Sequence, residues 1–113
     1  MASSLETIQE KNMLIAEIKR LSNLLDTHYN LELNFRNHCY LRIAYDCTVN
    51  NKWDFIIKKP FVKYAGIVEL NTAINLLNTY LIDKKKLLVD NDKSLSFRKN
   101  SDDFDPTDGL RLF

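Results

Sequence analysis

The chain has 113 residues, 45% hydrophobic and 27% charged, with a formal net charge of +1. This is the balance of one folded globular domain, and it excludes wholesale disorder, a second core and any global electrostatic pull toward nucleic acid or anionic membrane. Two glycines and two prolines are too few for a sandwich or barrel of short strands, so long helices with few connections are predicted.

The first element opens on Ser3-Ser4-Leu5-Glu6, a capping-box pattern. Leu14, Ile18, Leu21 and Leu25 follow at steps of four, three and four, with Ile8 and Ile15 beside them. That period predicts a helix of roughly seven turns ending near His28. Its wide apolar stripe makes it the best partner surface, and self-association through this helix is expected, with charges at Ile15 and Ile18 breaking the dimer or unfolding it. The first residues lack the apolar core of a signal peptide, and no run approaches the ~18 apolar residues of a membrane span, so a cytoplasmic location is expected.

Tyr29 to Asn34 reads as a connector. Asn34 or Asn37 is the expected cap of a second helix, which must stop before Pro60 and has its weakest point near Asn50. Trp53, Phe55, Ile56, Ile57, Phe61 and Val62 form an apolar patch, with one short extended segment near 55–62 as the alternative to helix. Gly66 precedes a third helix, Ile67 to Ile82, facing inward through Leu70, Ile74, Leu77 and Leu81. Asp83 is the expected cap of a fourth helix to about Arg98, with Leu88 and Leu95 inward and Lys84 to Lys86 outward. The fold expected is all-α: a four-helix, bundle-like domain over 1–98 and an acidic tail over 99–113. That tail carries four aspartates and the turn signal Asp105-Pro106-Thr107-Asp108-Gly109. Its Leu110, Leu112 and Phe113 are expected to dock rather than stay in water.

Chemistry concentrates in Asn37 to Asp46. His38, Arg42 and Asp46 recur every four residues, so on a helix they share one face beside Cys39, Ile43 and Cys47. Two readings compete: an internal Arg42–Asp46 pair, or an anion or small-molecule site with Arg42 as clamp, His38 as titratable group and Tyr45 and Trp53 enclosing it. A site also needs a second element, and Asn75, Asn78 and Tyr80 are the candidates. Cys39 and Cys47 would lie roughly 12 Å apart on one helix, from a rise of ~1.5 Å per residue, beyond disulfide reach. The spacing of His28, His38 and the two cysteines does not match structural zinc, and no glycine-rich phosphate loop exists. No catalytic residue, metal or cofactor is assigned, and an enzyme is not the favoured reading. Lys52, Lys58, Lys59 and Lys63 interleaved with Trp53, Phe55, Phe61 and Tyr64 are ingredients for single-stranded nucleic acid, though core packing with lysines at the rim explains them more simply.

The pattern N-x-C-Y-x-R-I-A-x-D over Asn37 to Asp46, with Trp53-Asp54 downstream and Ser94-Leu95-Ser96-Phe97-Arg98 later, resembles short uncharacterised bacterial proteins. The likeness spans about residues 37 to 98. Some of those proteins carry an acetyltransferase label, which would imply acyl transfer, but the chain lacks the glycine-rich pyrophosphate loop of such enzymes. The reading carried forward is a non-enzymatic helical interaction module, self-associating or binding another protein. A small-molecule site at His38, Arg42 and Asp46 stands second, and a nucleic-acid binder using Lys52 to Tyr64 third.

Overall fold

A computed structural model describes residues 4–99. Four long helices and two single turns make up 81% of it: α1 (Ser4–His28), α2 (Asn37–Val49), α3 (Trp53–Ile56), α4 (Phe61–Tyr64), α5 (Ile67–Ile82) and α6 (Lys84–Lys99). The fold is all-α, as the sequence periodicity predicts. Residues Ser3, the tail from 100 to 113, and the expected docking of Leu110, Leu112 and Phe113 lie outside the described residues.

Helix boundaries follow local chemistry. Asn50 ends α2 in the left-handed region (φ 56°, ψ 40°), a conformation asparagine tolerates better than most residues. The Asp83 side chain accepts from the Lys86 amide at 3.0 Å and caps α6. The expected asparagine cap of α2 does not form. Arg36 holds that position without a side-chain cap bond, and Asn37 instead donates to Asn23 on α1 at 3.0 Å. Between Trp53 and Tyr64 no strand forms. The backbone is extended at Ile57 and Pro60, between two helical turns that bury Trp53, Phe61 and Val62.

The chain runs up and down. A contact from Lys11 to the Lys63 carbonyl at 2.7 Å and one from the Tyr29 hydroxyl to the Tyr80 carbonyl at 2.6 Å make α1 and α5 parallel. α2 returns against both of them, and α6 returns beside α2. The helices α2 and α5 form the middle of the bundle, with α1 on one flank and α6 on the other.

The two flanks are built differently. α1 packs through Ile18, Leu21 and Leu25, all fully buried against the centre. α6 presents Leu87, Asp90, Ser94 and Arg98 inward, while Leu88 and Leu95 are 38% and 41% exposed. The inward face predicted for α6 is therefore wrong by one residue at its start and wrong in kind. Its interior row is mostly polar, because it answers buried polar groups on α2 and α5. No described helix is long and apolar enough to cross a membrane.

Candidate functional site

The Asn37–Asp46 segment forms α2 as predicted, but its polar residues do not act together. Asp46 is completely buried, and four donors converge on its two oxygens. Arg98 Nε donates to Oδ2 at 2.9 Å and Nη2 to Oδ1 at 3.1 Å. The Ser94 hydroxyl donates to Oδ2 at 2.6 Å, and the Trp53 amide to Oδ1 at 2.9 Å. Burial is the larger influence and pushes this carboxyl above its usual range; the Arg98 guanidinium, the Ser94 hydroxyl and the Trp53 amide pull the other way. One carboxylate thus ties α2 to α6 and to the start of α3.

The Arg42–Asp46 pair expected from spacing is absent. Arg42 lies half-buried and donates through Nη2 to Asn91 Oδ1 at 2.6 Å, while its buried Nε has no partner. Burial lowers its pKa, and the neighbouring Arg98 charge lowers it further. Asp46 prefers Arg98 because a guanidinium arriving from a facing helix reaches both oxygens in the interior, whereas Arg42 lies near the rim. His38 is half-buried one turn before Arg42.

Tyr45 and Trp53 do not enclose a ligand. Tyr45 stacks on Phe61 with centroids 3.8 Å apart, and Trp53 meets both rings edge-on at 5.8 Å. All three side chains are core, and aromatic clusters of this kind stabilise beyond their area. The Tyr40 and Tyr45 hydroxyls are buried without a partner, and burial raises both phenols above their ordinary value.

A second polar set, not foreseen from the sequence, joins α5, α6 and α2. The Tyr80 hydroxyl donates to Asp90 Oδ2 at 2.7 Å, and Lys86 Nζ donates to Oδ1 at 2.9 Å. The Cys47 thiol lies 3.6 Å from the Asp90 carbonyl, and burial, then the Asp90 charge, pushes it up to about 11. Such a thiol stays protonated near neutral pH and makes a poor nucleophile. The only advance signal was Asp90, Ser94 and Arg98 recurring every four residues on α6. Of the proposed converging residues, Asn75 and Asn78 face solvent and Tyr80 is spent on Asp90.

The Lys52–Tyr64 segment is also largely committed. Lys52 is 3% exposed and sits 3.5 Å from Asp54, as does Lys59. Trp53 and Phe61 are buried, leaving Phe55, Ile56 and Tyr64 at the surface beside Lys58 and Lys63. At the opposite end of the bundle, a cleft of about 460 Å³ is lined by Asp26, Asn30, Leu33, Asn34, Phe35 and Arg36. Arg36 and Asp26 approach to 3.5 Å beside it. Among the described residues, no cluster of three or more His, Cys, Asp or Glu is placed to hold a metal ion. In comparisons with known protein families, curated proteins and solved structures, nothing matches this chain.

Proposed function

We propose that this domain is a non-enzymatic interaction module that self-associates through the exposed face of α1. The observation that carries this reading is the position of Ile8 and Met13, which are 55% and 73% exposed. They stand on the half of α1 that precedes its buried stripe. Ile18, Leu21 and Leu25 are consumed by the protomer's own core, so a partner meets the earlier turns. Charges of both signs flank Met13, with Glu10 and Lys11 before it and Glu17, Lys19 and Arg20 after it. An antiparallel pairing about Met13 would place the same surface of each helix against the other, in a self-complementary two-fold interface. Each large side chain covered there contributes roughly 1.5–3 kcal/mol. The two free cysteines, Cys39 and Cys47, are in keeping with a reducing cytoplasmic setting.

In sedimentation velocity the protein is expected to move from monomer to dimer as its concentration rises. Met13→Glu should hold it monomeric with the melting temperature of the dilute, monomeric unaltered protein, because Met13 touches solvent rather than core. A monomer at every concentration in the unaltered protein would remove self-association.

A second reading rests on Arg42. It is a half-buried guanidinium whose hydrogen bond goes to a neutral amide, with His38 one turn away, and this composition suits a small phosphate or carboxylate. Inorganic phosphate should then raise the melting temperature saturably, and Arg42→Gln should abolish the rise. Identical phosphate responses in both proteins would sink that site.

A further inference from the structure

The end of α1, the start of α2 and their connector enclose the cleft of about 460 Å³, a volume within the range of small-molecule sites. Hydrogen bonds fix the backbone that frames it. The Glu32 and Leu33 amides both donate to the Tyr29 carbonyl, at 3.0 and 2.9 Å. The Lys84 ammonium of α6 donates to Glu32 at 2.9 Å, and Asn37 donates to Asn23 across the two helices at 3.0 Å. The cleft wall also rests on core: the Phe35 ring meets Tyr40 edge-on at 5.7 Å, and Tyr40 stacks on Tyr29 at 6.4 Å. The cavity is therefore built without a ligand.

Its lining carries one charge of each sign. Arg36 Nε stands 3.5 Å from Asp26 Oδ1, with the two side chains 73% and 29% exposed. That distance is longer than a charge-assisted hydrogen bond, and an exposed pair of this kind costs little to open. Asn30 and Asn34 are exposed to the cleft, and no hydrogen bond from another described residue engages their side-chain amides. We propose that this cleft binds a free α-amino acid with an apolar side chain, its ammonium on Asp26 and its carboxylate on Arg36. The half-buried Leu33 and Phe35 receive the apolar side chain, and the two asparagine amides complete the hydrogen bonds of the ionic groups. Charge balance selects this class of ligand. A simple anion drawn to Arg36 meets the Asp26 carboxylate beside it, and a simple cation drawn to Asp26 meets the guanidinium. A neutral sugar uses the amides but answers neither charge. An α-amino acid carries both charges on one carbon, so it exchanges one loose ion pair for two close ones. A peptide holds those charges at opposite ends of its chain, which leaves the free amino acid as the ligand.

Thermal unfolding and amide NMR on the full chain test this. L-leucine, L-methionine or L-phenylalanine at millimolar concentration should raise the melting temperature saturably, with amide shifts centred on residues 26–36. Leucinamide, which lacks the carboxylate, and isocaproate, which lacks the ammonium, should bind roughly 10–100-fold more weakly than leucine. Asp26→Asn and Arg36→Gln should weaken leucine binding by the same factor while the ligand-free melting temperature stays close to that of the unaltered protein, because the pair between them is loose and exposed. No response to any of the three amino acids overturns the proposal, as does an equal response to either singly charged analogue or to glucose. Leucine binding that survives in either variant, or amide shifts centred elsewhere, overturns the assignment to this cleft. Arg42→Gln should leave the leucine response intact, so the phosphate reading and this one fail separately.

Discussion

Replacing Arg98 by alanine is expected to lower stability by about 3–5 kcal/mol, the scale for removing one partner of a buried ion pair. Asp46 would keep the Ser94 hydroxyl and the Trp53 amide, but its charge would have no counter-ion in a site with no solvent contact. Much of the loss is the cost of leaving that charge buried, not the worth of the pair itself. The double variant Asp46→Asn with Arg98→Met should therefore lose less than the two single changes added together. Urea midpoints measure all of this. Arg20 supplies the contrast, since its partner Glu17 is on the same solvated face of α1. Arg20→Ala should leave the midpoint close to that of the unaltered protein, with Arg42→Ala in between, because Arg42 is half-buried and bonds Asn91 across to α6. An Arg98→Ala midpoint equal to that of Arg20→Ala would show that two neutral donors suffice for Asp46.

The second large effect is expected at Ile18. Ile18→Glu places a charge in the apolar core that holds Leu21, Leu25 and the inward residues of α5. A buried, unpaired ion costs several kcal/mol, comparable with the ~5–15 kcal/mol that holds a small domain folded. The variant should lose its cooperative thermal transition and its helical circular dichroism. Met13→Glu, five residues earlier on the same helix, should keep both. A folded Ile18→Glu monomer would place Ile18 in an intermolecular surface instead of the core, as the stripe seen from sequence alone suggests.

Much of the fold was legible because it is decided locally. The heptad-like spacing of Leu14, Ile18, Leu21 and Leu25, the run from Leu70 to Leu77, Asp83 as a cap and the break at Asn50 all act within a turn or two of chain. Those signals place α1, α2 and α5 and most of their inward faces. The concentration of polar chemistry at His38, Arg42 and Asp46 was visible too, as a segment unlike its surroundings.

What that chemistry does was decided only by packing. Helical spacing brings Arg42 within reach of Asp46, yet the carboxylate takes Arg98, 52 residues away. A fully buried carboxylate needs donors for both oxygens from directions its own helix does not offer, so the facing helix must supply them. This requirement turns Ser94 and Arg98 inward on α6, Asp90 turns inward to accept from Tyr80, and Leu88 and Leu95 are left outward, against the rule that apolar residues face the core. The same holds for Tyr45 and Trp53, whose role as core rather than site wall depends on Phe61 arriving from α4. The sequence by itself determined the helices and the apolar faces of α1 and α5, because periodicity and caps are short-range. Only the tertiary structure decided which charges are paired, since a buried charge takes its partner from whichever element completes its hydrogen bonds.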